Sequence, residues 1–204
     1  MSSALYETLR AMIREELGLL RVSELGLVQA VGPADPDNYS ATVALRDSGL
    51  VLDAVPLLAP SKGVACVPDV GDLVLVGFVG GDLNRPVVLG SLYNDEDRPP
   101  ANDRGQFVIH LPAGADAGRA VRLELNEDGP PRAVLTVGDA CTVTVQDDDP
   151  VLAVDVGGQA TVEISSAGHV SLQGSGNLTL KGSGNVTLEA GGTLALKGAV
   201  INLN

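Results

Sequence analysis

The first twenty residues of the chain carry apolar side chains at the spacing of a helix. Charged residues such as Arg10, Arg14 and Glu15 fill positions between them. Apolar residues every three or four positions form a stripe along one side of a helix. Residues 3–20 are therefore predicted to form an amphipathic helix within an N-terminal segment, 1–22, which docks either on its own domain or on a partner. The stripe consists of Leu5, Leu9, Met12, Ile13, Leu17 and Leu20.

After Arg21 the apolar period changes from that of a helix to that of a strand. Short apolar segments follow, separated by Gly, Pro, Asp and Asn, which favour turns. They cover residues 26–31, 39–45, 50–55, 73–78 and 86–90. Five short strands in one small domain are typical of a closed barrel, and the OB-fold is the five-stranded member of that class. Residues 23–98 are therefore predicted to form an OB-fold domain.

Residues 99–150 form a second predicted β segment, in which the alternation is irregular. Strands are expected at 106–111, 121–125, 133–137 and 141–145, with turns at 126–131 and 147–150. The segment is interpreted as an irregular β-prism transition between the barrel and the residues that follow.

The last quarter of the chain, residues 151–204, is built from eight-residue repeats. Pairs of apolar residues recur every eight positions, and each pair is separated by one residue that would point to the other side of a strand. The pairs are Val154/Val156, Val162/Ile164, Val170/Leu172, Leu178/Leu180, Val186/Leu188 and Leu194/Leu196, and Ile201/Leu203 ends the series one residue early. Residues 174–181 and 182–189 are nearly identical. Such a repeat predicts a regular stack of short strands.

A strand with only two inward side chains cannot enclose a core by itself. Each eight-residue unit supplies one short strand and one corner, so that three chains wound together would form a triangular prism. In that arrangement strands from different chains pair, and no strand is left with an open edge. The octads therefore predict a homotrimer whose core consists of the apolar pairs from Val154 to Leu196.

Charge and composition exclude several classes of partner. The chain has 26 acidic residues against 13 Lys and Arg, a net charge of −13. Binding to nucleic acid or to anionic lipid draws on clustered cations, so neither partner is expected. Hydrophobic residues make up 45% of the chain, which argues against disorder. No aromatic residue follows Phe107, which indicates a narrow structure of small aliphatic side chains.

Candidate catalytic and metal-binding residues are isolated from one another in the sequence. No nucleophile elbow, phosphate loop or His-Glu-x-x-His motif is present. His110 and His169 are interpreted as surface or turn residues, the run 147–149 as a solvated turn, and the two cysteines, Cys66 and Cys141, as reduced thiols. The sequence therefore predicts no catalytic residue, no cofactor and no metal site, and indicates that the protein is not an enzyme.

Residues 60–94 contain an ordered set of turn and strand residues. Gly71-Asp72 and Gly81-Asp82 would form turns at the two ends of one strand, and Pro86 would begin the next. The full set is Pro68, Gly71, Asp72, Phe78, Gly81, Asp82, Pro86, Gly90, Tyr93 and Asn94. In this order it resembles the OB domain of contractile-tail spike proteins, namely the phage baseplate assembly protein V family and the VgrG proteins of type VI secretion.

The resemblance implies a fold and a function for the whole chain. Members of these families carry an intertwined, trimeric, triple-stranded β-helix after the OB domain, so the expected fold is all-β apart from the N-terminal helix. The expected function is that of the central spike of a contractile injection machine, a phage tail, a tailocin or an extracellular injection system, which pierces the target envelope mechanically. The alternatives are a trimeric receptor-binding or adhesin fibre and a carrier with a hydrolytic site in residues 101–150.

The resemblance also implies partners at both ends of the molecule. A separate hub or baseplate protein would bind the N-terminal and OB end, and a PAAR-repeat tip protein would cover Ile201, Leu203 and Asn204 at the other. Some relatives hold iron through a His-x-His cluster near the tip, but Val200–Asn204 contains no histidine, so that metal is not carried over. The N-terminus lacks the pattern of a signal peptide, so assembly in the cytoplasm and incorporation into an injection particle are expected.

Overall fold

The computed structural model describes residues 2–19, 22–32 and 38–202. This part of the chain is mostly β, with one α-helix, two short 3-10 helices, Val79–Gly81 and Ala117–Arg119, and two antiparallel sheets of five and seven strands. The chain divides into two compact units, Met1–Pro99 and Pro100–Asn204. No helix in the described residues is long and apolar enough to cross a membrane.

The N-terminal helix, α1, spans Ser2–Leu19, within one residue of the predicted range at both ends. Four residues of its apolar stripe, Leu5, Leu9, Met12 and Ile13, are exposed, and the side chain of Leu17 is outside the described part of the structure. Leu20, the last residue predicted for the stripe, lies outside the described residues. The guanidinium of Arg10 lies 5.1 Å from the ring centroid of Tyr6, so these two side chains form a cation–π contact.

The first sheet closes into a five-stranded barrel. Its strands are β1 Ser23–Val31, β2 Ser40–Leu45, β3 Val51–Pro56, β4 Leu73–Phe78 and β5 Pro86–Ser91. The strands are ordered β3-β2-β1-β4-β5, with antiparallel neighbours. Just after β3, Leu57 forms a parallel bridge with Val88 of β5, and the Leu58 amide donates to the Val88 carbonyl at 2.9 Å. That contact joins the two outer strands and completes the arrangement expected of an OB-fold.

The interior of the barrel is filled by small aliphatic side chains and one aromatic ring. The core consists of Val28, Ala41, Val43, Leu45, Val55, Val74, Val76, Phe78 and Val88. Gly26 of β1 is also buried, and a Cβ at this position would lie 2.3 Å from Cγ1 of Val43. Only glycine lets β1 and β2 approach this closely.

A buried carboxylate fixes the turn between β2 and β3. Glu24 of β1 is buried, and its Oε1 accepts hydrogen bonds from the Asp47 amide, the Ser48 amide and the Ser48 hydroxyl at 3.2, 2.8 and 2.9 Å. Hydrogen bonds to a charged acceptor compensate for its removal from water. Glu24 therefore ties the first strand of the barrel to the turn that reverses the second.

A bulge in β3 places an alanine in the left-handed region. Ala41 pairs with Val55 and Val43 with Leu52, so one residue of β2 faces two residues of β3. The φ angle of Ala54 is +52°, a conformation that glycine adopts more readily than alanine. The side chain of Ala54 is exposed, so it contributes little packing in return.

The second sheet is a meander in which each strand pairs with the next along the chain. Its strands are β6 Gln106–Leu111, β7 Val121–Asn126, β8 Arg132–Val137, β9 Cys141–Gln146, β10 Leu152–Val156, β11 Ala160–Ile164 and β12 Val170–Gly174. The bounds of β6 to β9 agree with the predicted strands to within one residue. All pairs are antiparallel, in the order β12-β11-β10-β9-β8-β7-β6.

The first three octads fold back on one another instead of passing to a new face. Val154 lies opposite Val162, and Ile164 lies opposite Val170, in antiparallel hairpins of one chain. Gly157 and Gly158, with φ of 55° and 67°, lie between β10 and β11, where their positive φ permits the tight reversal. Within the described residues, no strand follows Gly174 in the single chain.

We predict that Ala54→Gly stabilises the barrel. Relief of the left-handed conformation should raise the free energy of unfolding by about 0.5–1 kcal/mol, measured by urea denaturation. Ala44→Gly is the matched control, because Ala44 lies in regular antiparallel pairing, and should lower it by about 0.5–1 kcal/mol. Equal losses in the two variants would contradict the strain assigned to Ala54.

Glu24 offers a second stability test. Glu24→Ala leaves the donors of Asp47 and Ser48 without this acceptor and should lower the free energy of unfolding of the barrel by about 3 kcal/mol. Glu24→Gln should cost less than half as much, because all three of these donors contact a single oxygen, which an amide retains. The prediction fails if urea denaturation gives the same midpoint for both variants.

Candidate functional site: an uncovered apolar sheet face

The sequence motif of residues 68–94 forms the two ends of β4 and the start of β5. Before β4, Gly71 has a φ of 100°, the Asp72 amide donates to the Asp69 carbonyl, and a carboxylate oxygen of Asp72 accepts from the Asp69 amide at 3.0 Å. After β4, Gly81 has a φ of 78°, and Asp82 Oδ1 accepts from the Asn84 amide at 2.9 Å. The turns predicted at both ends of this strand are therefore present.

The remaining motif residues are also structural. Pro86 is the first residue of β5, as predicted, and Gly90 lies in the same strand. Phe78 belongs to the barrel core, whereas Tyr93 is exposed. Two more motif residues lie in the segments that flank these strands. Pro68 is half-buried before the first turn, and Asn94 Oδ1 accepts from the amides of Glu96 and Asp97. These residues thus belong to the strands, the turns and the core of the barrel and to the segments that flank them.

The seven strands of the second unit place most of their apolar residues on one face. Cross-strand register shows this directly, since Leu123 lies opposite Ile109 and Leu135, and Leu135 lies opposite Val143. The same face continues from Val143 to Val154, Val162 and Leu172. It comprises Phe107, Ile109, Leu111, Val121, Leu123, Leu125, Ala133, Leu135, Val137, Cys141, Val143, Val145, Leu152, Val154, Val156, Ala160, Val162, Ile164, Val170 and Leu172.

The opposite face of this sheet is mostly polar. Arg122 lies opposite His110 and Thr136, and Thr136 lies opposite Thr142. Arg122 forms an ion pair with Glu124 at 2.6 Å and donates to the Ala101 carbonyl at 2.7 Å. Both side chains of this ion pair are half-buried.

No residue of the apolar face is fully buried in the single chain, where eleven of the twenty are exposed and nine are half-buried. Phe107 is 59% exposed, Leu125 43% and Leu172 55%. The apolar residues of the following octads, Leu178, Leu180, Val186, Leu188, Leu194, Leu196 and Ile201, are all exposed as well. A β-sheet with one apolar face is stable only when another layer covers that face. An exposed apolar face of this extent marks an interaction surface.

The predicted core and tip residues fall into three groups. The first group consists of the three predicted pairs in β10 to β12, which lie together on the apolar sheet face: Val154, Val156, Val162, Ile164, Val170 and Leu172. The residues from Leu178 to Leu196, and Ile201, lie in the segment without strands, where the single chain does not bring them into a sheet. Leu203 and Asn204 lie outside the described residues.

The part of this face that lies before residue 150 was not predicted from the sequence. Apolar and polar residues alternate strictly in β7 and β9, as Val121, Leu123 and Leu125 show. This alternation is a sufficient signal for a strand with one apolar face. Val108 and Val134, apolar residues on the polar face, obscured the same alternation in β6 and β8. The irregularity of residues 99–150 is thus in the strand composition and not in the pairing.

The two histidines have different environments. His169 is exposed and precedes β12, and its amide donates to the Ser165 hydroxyl, as expected for a turn residue. His110 was predicted at the surface or in a turn, but it is half-buried within β6, because the register places it opposite Arg122 on the polar face. Its Nε2 lies 2.9 Å from the Ala115 carbonyl oxygen.

The other polar residues considered as catalytic groups or metal ligands lie apart from one another. Asp149, from the acidic run, accepts a hydrogen bond from the Ser166 amide at 2.7 Å and so belongs to a turn. Cys66 is exposed and Cys141 is half-buried, and both thiols are free. Among the described residues, no three His, Cys, Asp or Glu side chains are grouped so that they could hold a metal ion.

Residues 53–93 match the family model of the type VI secretion system/phage-baseplate injector OB domain. No curated protein matches the chain. The matched residues begin in β3 and end just after β5, so they include the contact that closes the barrel and the turns at both ends of β4. Over these residues the barrel is similar to the OB domain of the injectors of type VI secretion systems and phage baseplates.

Proposed function

We propose that this protein is the central spike of a contractile injection machine, and that it acts as a homotrimer that pierces the target envelope. The observation that carries the proposal is the exposed apolar face that runs through all seven strands of the second unit. The match of residues 53–93 to the injector OB domain supports a role in a phage-like injection system.

The apolar face calls for further copies of the same chain. The alternation that places Leu135 and Val154 on one side of the sheet continues in sequence through Leu178/Leu180 to Leu194/Leu196. One partner able to cover a face of this length is a molecule with the same repeat. Three such faces turned inward form a closed prism with a dry, aliphatic interior and a polar exterior.

The chemistry of the surfaces suits a mechanical role. Interchain ladders would satisfy the backbone groups of residues 175–202, which form no strand in the single chain. A prism of this kind is stiff because every strand is hydrogen-bonded on both sides. The proposal includes no catalytic step, and it assigns the apolar residues to assembly instead of ligand binding.

The proposed spike has a partner at each end. A hub or baseplate protein would hold the N-terminal helix and the barrel, and the exposed apolar stripe of α1 provides a surface for such a contact. A PAAR-type tip protein would cover the last octads around Ile201. Assembly would take place in the cytoplasm before the particle acts on another cell.

Substitutions at adjacent residues, one assigned to the inward face and one to the outward face, test the trimer. We expect the wild-type protein to be a trimer at micromolar concentration by sedimentation equilibrium. Leu135→Asp and Leu180→Asp should release monomers, because three carboxylates would meet in a dry interior at a desolvation cost of several kcal/mol each. Thr136→Asp and Thr179→Asp add the same charge one residue away, on the outward face, and should remain trimeric.

Two outcomes would contradict the proposal. One is a wild-type protein that sediments as a monomer. The other is a Leu135→Asp variant that stays trimeric with an unchanged midpoint of thermal unfolding, since that residue would then not face the interior.

A further inference from the structure

Charged residues are rare in the segment that follows the meander, and they recur at regular intervals. Between residues 175 and 202 the sequence contains only three, Lys181, Glu189 and Lys197. They are eight residues apart, and each directly follows the second apolar residue of its octad. Their signs alternate along the chain.

The alternation of the octad places these three side chains on the outward side. Leu180 is assigned to the interior, so the next residue, Lys181, points away from it, on the same side as Thr179. The equivalent residues Glu189 and Lys197 share this orientation. In the single chain this segment forms no strand and its side chains are exposed.

The charges begin where pairing within the chain ends. In the three earlier octads the equivalent positions are Gly157, Ser165 and Gln173, which are uncharged. The antiparallel hairpins do not bring these positions together, because Gln173 lies opposite Thr161 and Ser165 follows the end of β11. Parallel, in-register strands would instead stack equivalent octad positions.

A prism wound from three chains has a definite order of strands on each face. Each octad moves its chain to the next face of the prism. Because of the threefold axis, the face that one chain leaves is entered by the next octad of another chain. Neighbouring strands on one face therefore belong to different chains and differ by one octad. Equivalent positions of such neighbours are about 4.8 Å apart, within reach of a lysine and a glutamate side chain.

We propose that Lys181, Glu189 and Lys197 from three different chains form an ion-pair ladder on each face of the prism, and that this ladder sets the register of the chains. The inference rests on the proposed trimer and names the contact between its copies. Residues 174–181 and 182–189 have nearly the same apolar pattern, so hydrophobic packing alone does not distinguish one register from the next. A slip of one octad would place lysine beside lysine, which is unfavourable.

Zero-length cross-linking of the full-length protein tests the contact. A carbodiimide activates the Glu189 carboxylate. The amine of Lys181 or Lys197 then attacks the activated carboxyl group, so that an amide forms and the carbodiimide leaves as a urea. We expect covalent dimers and trimers on a denaturing gel, with Glu189 joined to Lys181 or Lys197 in the cross-linked peptides. Glu189→Gln should lose these products, whereas Glu163→Gln, on the outward side of β11, should retain them.

Charge reversal tests the effect on assembly. In about 0.01 M NaCl, where screening is weak, Glu189→Lys should lower the midpoint of thermal unfolding of the trimer by about 5 °C, and the loss should disappear in about 1 M NaCl. Glu163→Lys changes the net charge equally and should have little effect. Reversing all three charges, Lys181→Glu, Glu189→Lys and Lys197→Glu, should restore the midpoint.

The outcomes separate the ladder from the trimer. A wild-type trimer without Glu189 cross-links, in which Glu189→Lys behaves as Glu163→Lys does, would overturn the ladder and leave the trimer intact. A monomeric wild-type protein would overturn both.

Discussion

A β-sheet with one apolar face must cover that face, and this constraint governs the second unit of the molecule. In the barrel the constraint is met within the chain, because the sheet curls until Leu57 reaches Val88 and the apolar side chains enclose one another. In the second unit each strand pairs with its sequence neighbour, so the sheet forms without producing a second layer. The same chain thus contains one unit whose apolar side chains enclose one another and one whose apolar face is left uncovered within the described residues.

The composition of the chain follows from this division. A closed barrel of short strands leaves room for alanine, valine, leucine and a single ring, Phe78, and Gly26 provides the close approach between β1 and β2. The prism proposed for the second unit would have an interior that is narrower still, and the octads have only valine, leucine and isoleucine at the positions assigned to that interior. In that arrangement the scarcity of aromatic residues would result from geometry in both units.

Local features were predictable from the sequence, and features that depend on register were not. Turn residues such as Gly71 and Pro86 marked the strand ends, because they restrict the backbone wherever they occur. The bridge from Leu57 to Val88 and the hydrogen bonds of Glu24 join residues that are distant in sequence, so no local pattern predicts them. The spacing of eight between Val154 and Val162 is compatible both with a hairpin and with passage to a new face, so periodicity alone could not decide the path of the chain.

The meander from β6 to β12 also bears on the order of events during folding. Its contacts join strands that are adjacent in sequence, and topologies with such local contacts form rapidly. In the proposed trimer, pairing within residues 106–174 would begin in each chain, and association would cover the apolar face and give the residues beyond Gly174 their strand partners. Folding of the proposed spike would accordingly proceed from the barrel toward residue 202, and the slow, concentration-dependent step would be the encounter of chains whose meanders have begun to form.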